Sequence, residues 1–221
     1  CLNIAMVYNP DEEIGSIYPK EITDRIGSQA DHIFVMESAG KNGTRHCFAR
    51  KGSLTYDIEF QGQAAHAGFM FEVENASAVL EMGHYIVELM SLADREKDTT
   101  VNVGIANGGT ARNVVADHAK ISVEMRFRDD SERIRLKEYV NKITEGQPFV
   151  PGVKTTITMQ KETPPFIKTE EAKKYIERVR KIAEEYGIPF EEKDRGGLSD
   201  ANHLSRCGNA IVMDGMGPHG A

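Results

Sequence analysis

The sequence predicts an α/β chain whose partial, mostly parallel sheet is interrupted by an inserted α+β domain. Three observations carry that expectation. Short, continuously apolar runs near the two ends, Ile4–Tyr8, Ile33–Met36 and Ala210–Met213, read as strands buried on both faces of a parallel sheet. The middle of the chain changes to a period of two, as half-exposed strands do. Two helical stripes lie among those alternating strands, giving the order β-α-β-β-α-β of a split βαβ sandwich, a four-stranded antiparallel sheet with two helices. The expected boundaries are 1–49 for the first part of the α/β domain, 50–160 for the inserted domain and 161–221 for the second part.

Taken in order, the first apolar run leads into Asp11-Glu12-Glu13, and Pro19–Gln29 then carries Ile22 and Ile26 at helical spacing. A strand–helix–strand order of this kind collects function at the carboxyl ends of its strands. Glu37 follows the second run and Asp214 the last, so three strand ends are acidic. In the middle, Leu54, Tyr56, Ile58 and Phe60 alternate with Thr55, Asp57, Glu59 and Gln61. Asn75 is a candidate cap for a helix with Ala76, Val79, Leu80, Ile86, Val87 and Met90 on one stripe. Strands follow at Val101–Ile105 and Ile121–Phe127, then Ser131 is placed to cap a helix carrying Ile134, Val140 and Ile143. Val153, Thr155, Ile157 and Met159 make the fourth strand. Thr163-Pro164-Pro165 reads as the return linker. Thr169 caps the next helix, with Glu170 and Glu171 in its first turn and Gly187 and Pro189 at its end.

Composition narrows the classes of function. A chain of 221 residues, 40% hydrophobic and 28% charged, has room for one large domain or two modest ones. A net charge of −7 argues against nucleic acid or an anionic membrane as partner. No apolar run approaches the roughly 20 residues that span a bilayer. Three scattered cysteines, Cys1, Cys47 and Cys207, lack any Cys-x-x-Cys spacing, so a reducing cytoplasm is expected. The chain opens on Cys inside a strand-like run and stops within the loop from Gly215 to Ala221, so both ends read as cut from a longer protein.

Adjacent carboxylates repel, and Asp11-Glu12-Glu13 would gain from a divalent cation that holds one acid while a neighbour stays free as a base. By itself the triplet also fits a solvated turn. Further segments follow in series: Asp-Glu-Glu-x-Gly-Ser at 11–16, Phe34-Val35-Met36-Glu37-Ser38, Gly62-Gln63-Ala64-Ala65-His66-Ala67-Gly68, Arg112-Asn113-Val114-Val115, Glu124-Met125-Arg126, and Arg195-Gly196-Gly197-Leu198-Ser199-Asp200-Ala201. In that order they resemble the family of dizinc aminoacylases, acetylornithine deacetylases and glutamate carboxypeptidases. Glu37-Ser38-Ala39-Gly40 and the Gly-Gly-Leu-Ser-Asp-Ala loop favour the glutamate carboxypeptidase-like branch.

The resemblance implies a zinc-dependent hydrolase cleaving an amide or peptide bond next to a carboxylate-bearing residue, with a small peptide or N-acyl amino acid as substrate. An N-acyl amino acid deacylase, or a metal-free dimerisation module, are the alternatives. It implies Glu12 as general base, and Glu13 and Glu37 as ligands of two zinc ions or other divalent metals. His66 is implied as a substrate or oxyanion group reaching the partner's site in a homodimer formed through the inserted lid. Asn113, Arg126 and the backbone at Gly197 are implied as substrate-binding, and Arg45 as a nearby basic group. Bland readings stand beside these: a surface acid at Glu37, a structural histidine at His66, a solvated strand face at Arg126. Asp200 fits a helix cap or an orienting group. The family's His-x-Asp motif, its bridging Asp and its late histidine are missing, and His219 precedes the position of that histidine. These 221 residues alone are therefore expected to have little or no activity.

Overall fold

The computed structural model describes residues 3–10, 12, 20–40 and 43–218. In chain order the first elements are helix α1 (Lys20–Gly27) and strands β1 (His32–Val35) and β2 (Arg45–His46). Strands β3 (Gly52–Gln61) and β4 (Ala65–His66) follow, then helix α2 (Ala78–Met90). Next come β5 (Thr100–Gly108), β6 (Val114–Val115), β7 (His118–Phe127), α3 (Asp130–Glu145) and β8 (Lys154–Thr163). The chain continues through α4 (Glu170–Glu185), β9 (Glu191–Glu192), α5 (Asp200–Leu204) and β10 (Ile211–Asp214). They form two compact units, one discontinuous (Cys1–Gly52 with Thr163–Ala221) and one continuous (Ser53–Glu162). Among the described residues no helix is long and apolar enough to cross a membrane.

The discontinuous unit is an α/β layer. Parallel pairing sets His32 opposite Ile211 and Val35 opposite Asp214, and a second parallel pair joins β2 to β9. Side chains alternate across β10. Val212 packs with Phe166 and Ala201 of α5, whereas Met213 packs with Phe48 and with Ile176 of α4. Its apolar run thus buries both faces, as the sequence predicts. The helix α4 presents Ala172, Ile176, Val179 and Ala183 at helical spacing. Thr169 caps it by accepting from the Ala172 N–H at 3.1 Å. Gly187, at φ +66, ends it, with Ile188 N–H returning to the Ala183 carbonyl and Gly187 N–H to Glu184, the paired bonds of a Schellman end.

Two expectations are corrected here. Ile4–Tyr8 is not a buried strand: Ile4, Met6 and Tyr8 are exposed and the run pairs with no strand among the described residues. With no strand paired beside it among the described residues, its apolar sequence stays open to solvent. In β1, Phe34 is exposed, so only Ile33 and Val35 turn to the core.

The continuous unit is the split βαβ sandwich, with strand order β5-β7-β3-β8. The β5–β7 pair is antiparallel. Ser122 to Asp57, with Gly62 N–H to the Asp117 carbonyl, gives β7 and β3 the same relation. Its core joins Leu54, Ile58 and Phe60 of β3 to Ile121, Met125 and Phe127 of β7, Tyr85 and Leu89 of α2, and Leu136 and Val140 of α3. Both cap assignments shift. Ser77, not Asn75, caps α2 by accepting from Leu80 N–H, while the Asn75 amide ties the preceding loop through the Met70 and Val73 carbonyls. Asp129, not Ser131, caps α3, and the Ser131 hydroxyl donates to its carboxylate. That hydroxyl, with the Glu132 N–H, holds the Asp129 carboxyl below its usual range.

Candidate active site

The parallel register puts the carboxyl ends of β1 and β10 on one edge of the discontinuous unit. Glu37 lies two residues past Val35. Its carbonyl accepts the Gly217 N–H at 2.7 Å, and Ser38 bridges Gly217. A Cβ at Gly217 would fall 2.1 Å from the Met36 carbonyl oxygen, so only glycine allows this approach. Asn9 donates to Asp200 at 2.6 Å, tying the segment before the acidic triplet to the first residue of α5. Asp200 is therefore not the helix cap. Ser199 is, with Asn202 completing a capping box. Glu12 is half-buried. Glu13 lies outside the described residues, as do Asp11 and His219.

At the centre of this edge sits a buried polar network that periodicity did not mark. Asp214 is fully buried and Arg50 only 4% exposed. Arg50 Nε donates to Asp214 Oδ2 at 2.5 Å, the Ser199 hydroxyl donates to the same oxygen at 2.8 Å, and Arg50 Nη1 donates to the carbonyls of Gly197 and Leu198. The acid at the third strand end is thus engaged by Arg50 and Ser199. Asn202, also fully buried, donates to the Lys51 and Pro164 carbonyls. Arg195 Nη2 donates to the Ser38 carbonyl at 2.7 Å, which joins the glycine loop to the segment bearing Glu37. Burial pushes the Cys47 thiol up, with Arg50 opposing, and Sγ donates to the Ala49 carbonyl, so Cys47 is a neutral packing group. Arg45 pairs with Glu191 at 2.8 Å, and both are about half exposed. Such a pair contributes about 0–1 kcal/mol and can be exchanged for a ligand at little cost.

Gly196 and Gly197 are exposed, and neither has a positive φ. A Cβ at Gly196 would meet nothing within 4 Å, and one at Gly197 only Arg50 Nη1 at 3.6 Å. Neither backbone conformation nor packing within the described residues requires glycine at these two positions.

In the continuous unit, β4 pairs antiparallel with β6, setting His66 opposite Val114, and Ala67 N–H donates to the Asn113 carbonyl at 2.9 Å. His66 and Asn113, 47 residues apart in sequence (113 − 66), therefore share one exposed corner. His66 Nδ1 accepts from Gly68 N–H at 3.1 Å, which leaves Nε2 as the proton-bearing nitrogen of the neutral ring. Arg126 is not with them. It lies eight residues along β7 from His118, about 26 Å at strand rise, and donates to Glu124 on its own strand at 2.8 Å. Among the described residues no three His, Cys, Asp or Glu side chains gather as a metal site.

In sequence, the discontinuous α/β unit encloses a split βαβ sandwich, which makes this a two-unit chain of α/β and α+β class. Residues 48–148 match the peptidase dimerisation domain. Carboxypeptidase G2 of Pseudomonas sp. (strain RS-16) is 22% identical over 222 residues, covering 98% of this chain and 53% of that protein. Acetylornithine deacetylase of Myxococcus xanthus is 29% identical over 134 residues, 56% of this chain and 34% of that protein. The crystal structure of aminopeptidase PepT from Bacillus cereus superposes with a TM-score of 0.74 at 25% identity, covering 92% of this chain and 53% of that one. The chain spans about half the length of the curated relatives it matches. The chain is thus similar to carboxypeptidases and to a deacetylase, and residues 48–148 are similar to a peptidase dimerisation domain.

Proposed function

We propose that the complete protein is a zinc-dependent hydrolase cleaving an amide or peptide bond beside a carboxylate-bearing residue, in the manner of a carboxypeptidase. The observation that carries this reading is the strand-end edge. There, Glu37 and an exposed Gly196-Gly197 backbone are linked through Arg195, and the glycines have no structural reason to be glycine. Open space above a fixed backbone suits the close approach of a substrate. In this reading Glu12 takes a proton from the attacking water and delivers it to the leaving amine. The Gly197 backbone holds substrate. Glu13 and Glu37 are the metal-binding carboxylates. Among the described residues no group of three His, Cys, Asp or Glu could hold a metal ion, and Glu13 and Glu37 without a histidine would hold zinc poorly.

The second group of residues supports a homodimer. With Nδ1 occupied by the Gly68 N–H, His66 Nε2 is the nitrogen that could donate to an oxyanion, with Asn113 beside it. Arg126 offers a planar fork suited to a substrate carboxylate. A dipeptide extends only about 7 Å, so one subunit cannot present both ends of its sheet to one such substrate. Two subunits paired through the dimerisation domain can, with His66 supplied by the partner. Cys47 and Cys207 are thiols outside any disulfide among the described residues, which fits a reducing cytoplasm. An N-acyl amino acid deacylase is the second reading, favoured by the similarity to acetylornithine deacetylase.

Glu12→Ala in the complete polypeptide, assayed on a panel of dipeptides and N-acyl amino acids, tests the proposal and separates the two readings. Hydrolysis falls by about 10²–10⁴-fold while zinc content and dimer mass are retained. A wild-type protein that hydrolyses nothing in the panel overturns the enzyme reading and leaves a dimerisation module.

A further inference from the structure

We infer that Arg50 is a positioning residue of the substrate loop. It fixes the peptide between Gly197 and Leu198 against the end of β10, a role that rests on the hydrolase reading above. Arg50 binds Asp214 and two carbonyls of the glycine loop through one side chain, beside Ser199, whose hydroxyl ties the end of that loop to the same carboxylate. Its Nε is committed to Asp214 and its Nη1 to the Gly197 and Leu198 carbonyls at 3.1 and 3.3 Å. In a trans peptide the C=O and the following N–H point in opposite directions. Drawing the Gly197 carbonyl inward therefore turns the Leu198 N–H to the other side of the loop. Gly196 and Gly197 are exposed on that loop while Arg50 beneath is buried, so the backbone is anchored from below and open above.

The choice of arginine supports the assignment. A lysine could neutralise Asp214 with a single bond. The guanidinium instead buries a further nitrogen, Nη2, that has no acceptor among the described residues. Leaving a buried donor unmet is unfavourable, so pairing with Asp214 alone does not account for Arg50. The added reach of its fork to two loop carbonyls does. The network continues to the catalytic edge. The Asp214 backbone N–H donates to the Cys47 carbonyl, Met216 N–H to Val35, and Gly217 N–H to Glu37. Loop and metal-binding carboxylate are thereby referenced to the same strand end.

Two measurements test this. In the wild-type chain, NMR order parameters of the Gly197 and Leu198 amides are expected near 0.85 despite their exposure, and values below about 0.6 overturn the anchor. In Arg50→Lys, which keeps a charge for Asp214 but loses the fork, they fall below about 0.6 while β7 amides stay rigid. In the complete polypeptide the same variant raises KM about tenfold, the equivalent of one hydrogen bond, with kcat within about twofold and zinc content unchanged. An unchanged KM, or a uniform loss of kcat and fold, refutes the positioning role. If the wild-type protein hydrolyses no substrate, the hydrolase reading fails by itself, and the order parameters still decide whether Arg50 anchors the loop. Should Arg50→Lys not fold, the wild-type values decide.

Discussion

Replacing Glu132 with glutamine removes one charge from a buried, multiply hydrogen-bonded acid of the continuous unit. Glu132 is 2% exposed and accepts from Lys97 Nζ at 2.8 Å, Thr99 Oγ1 at 2.8 Å, and Arg135 through Nε and Nη2, the latter at 2.7 Å. The Arg135 guanidinium above all, then Lys97 and Thr99, outweighs desolvation and draws the carboxyl from 4.5 down to about 2. That depression corresponds to about 3 kcal/mol of native-state stability at neutral pH. The folded-state value lies below the unfolded one, so the contribution is complete above about pH 5 and is lost as pH falls from about 4.5 toward 2. Glu132→Gln is expected to lose about 3 kcal/mol at pH 7 but only about 1.4 kcal/mol at pH 3. Urea unfolding of both proteins at pH 7, 5 and 3 measures the difference directly. A variant as stable as wild type at pH 7, or a gap that does not narrow between pH 5 and 3, would falsify the assignment of that stability to the Glu132 charge.

Two glycines offer a contrast. At Gly62 a Cβ would sit 2.1 Å from the Ala76 carbonyl oxygen, so Gly62→Ala is expected to break the Gln63–Ala76 pairing at the base of the His66 loop. It costs about 2 kcal/mol or more in thermal unfolding, and an unchanged midpoint counts against the clash. Gly197→Ala has space and an ordinary φ, so stability stays level or rises by about 0.4–1 kcal/mol. In the complete polypeptide its KM rises about tenfold if substrate lies against that backbone, whereas unchanged kinetics remove Gly197 from the substrate site.

Periodicity is a record of which side chains face a core, and the elements that read correctly are those with a strong face. Ile211–Met213 is apolar without interruption and is packed by α5 on one side and α4 on the other. The alternation of β3 and β7 places Leu54, Ile58, Ile121 and Met125 in one core. Ile4–Tyr8 has the same composition but pairs with no strand among the described residues, and composition cannot reveal a missing pairing. Caps slipped by two residues at α2 and α3 because Asn75, Ser77, Asp129 and Ser131 are all capable oxygens, and only backbone geometry selects among them. Arg50 was invisible for a related reason. Arg50-Lys51-Gly52 looks like a solvated strand entry, and its burial depends on a partner 164 residues away. The separation of Arg126 from His66 likewise follows from strand direction, which no single motif encodes.

The pairing of β1 with β10 also sets a timetable for synthesis. His32 meets its partner Ile211 only after 179 further residues (211 − 32) have been made. At about 5–20 residues per second the ribosome needs roughly 10–35 s for that stretch, and the intervening Ser53–Glu162 unit is complete well before it ends. The Ser53–Glu162 sandwich can therefore finish folding while β1 is still waiting for β10. Until β10 arrives, the apolar side chains of β1 that pack with it, Ile33 and Val35, lack that cover, and unpaired strand edges of this kind are prone to aggregate.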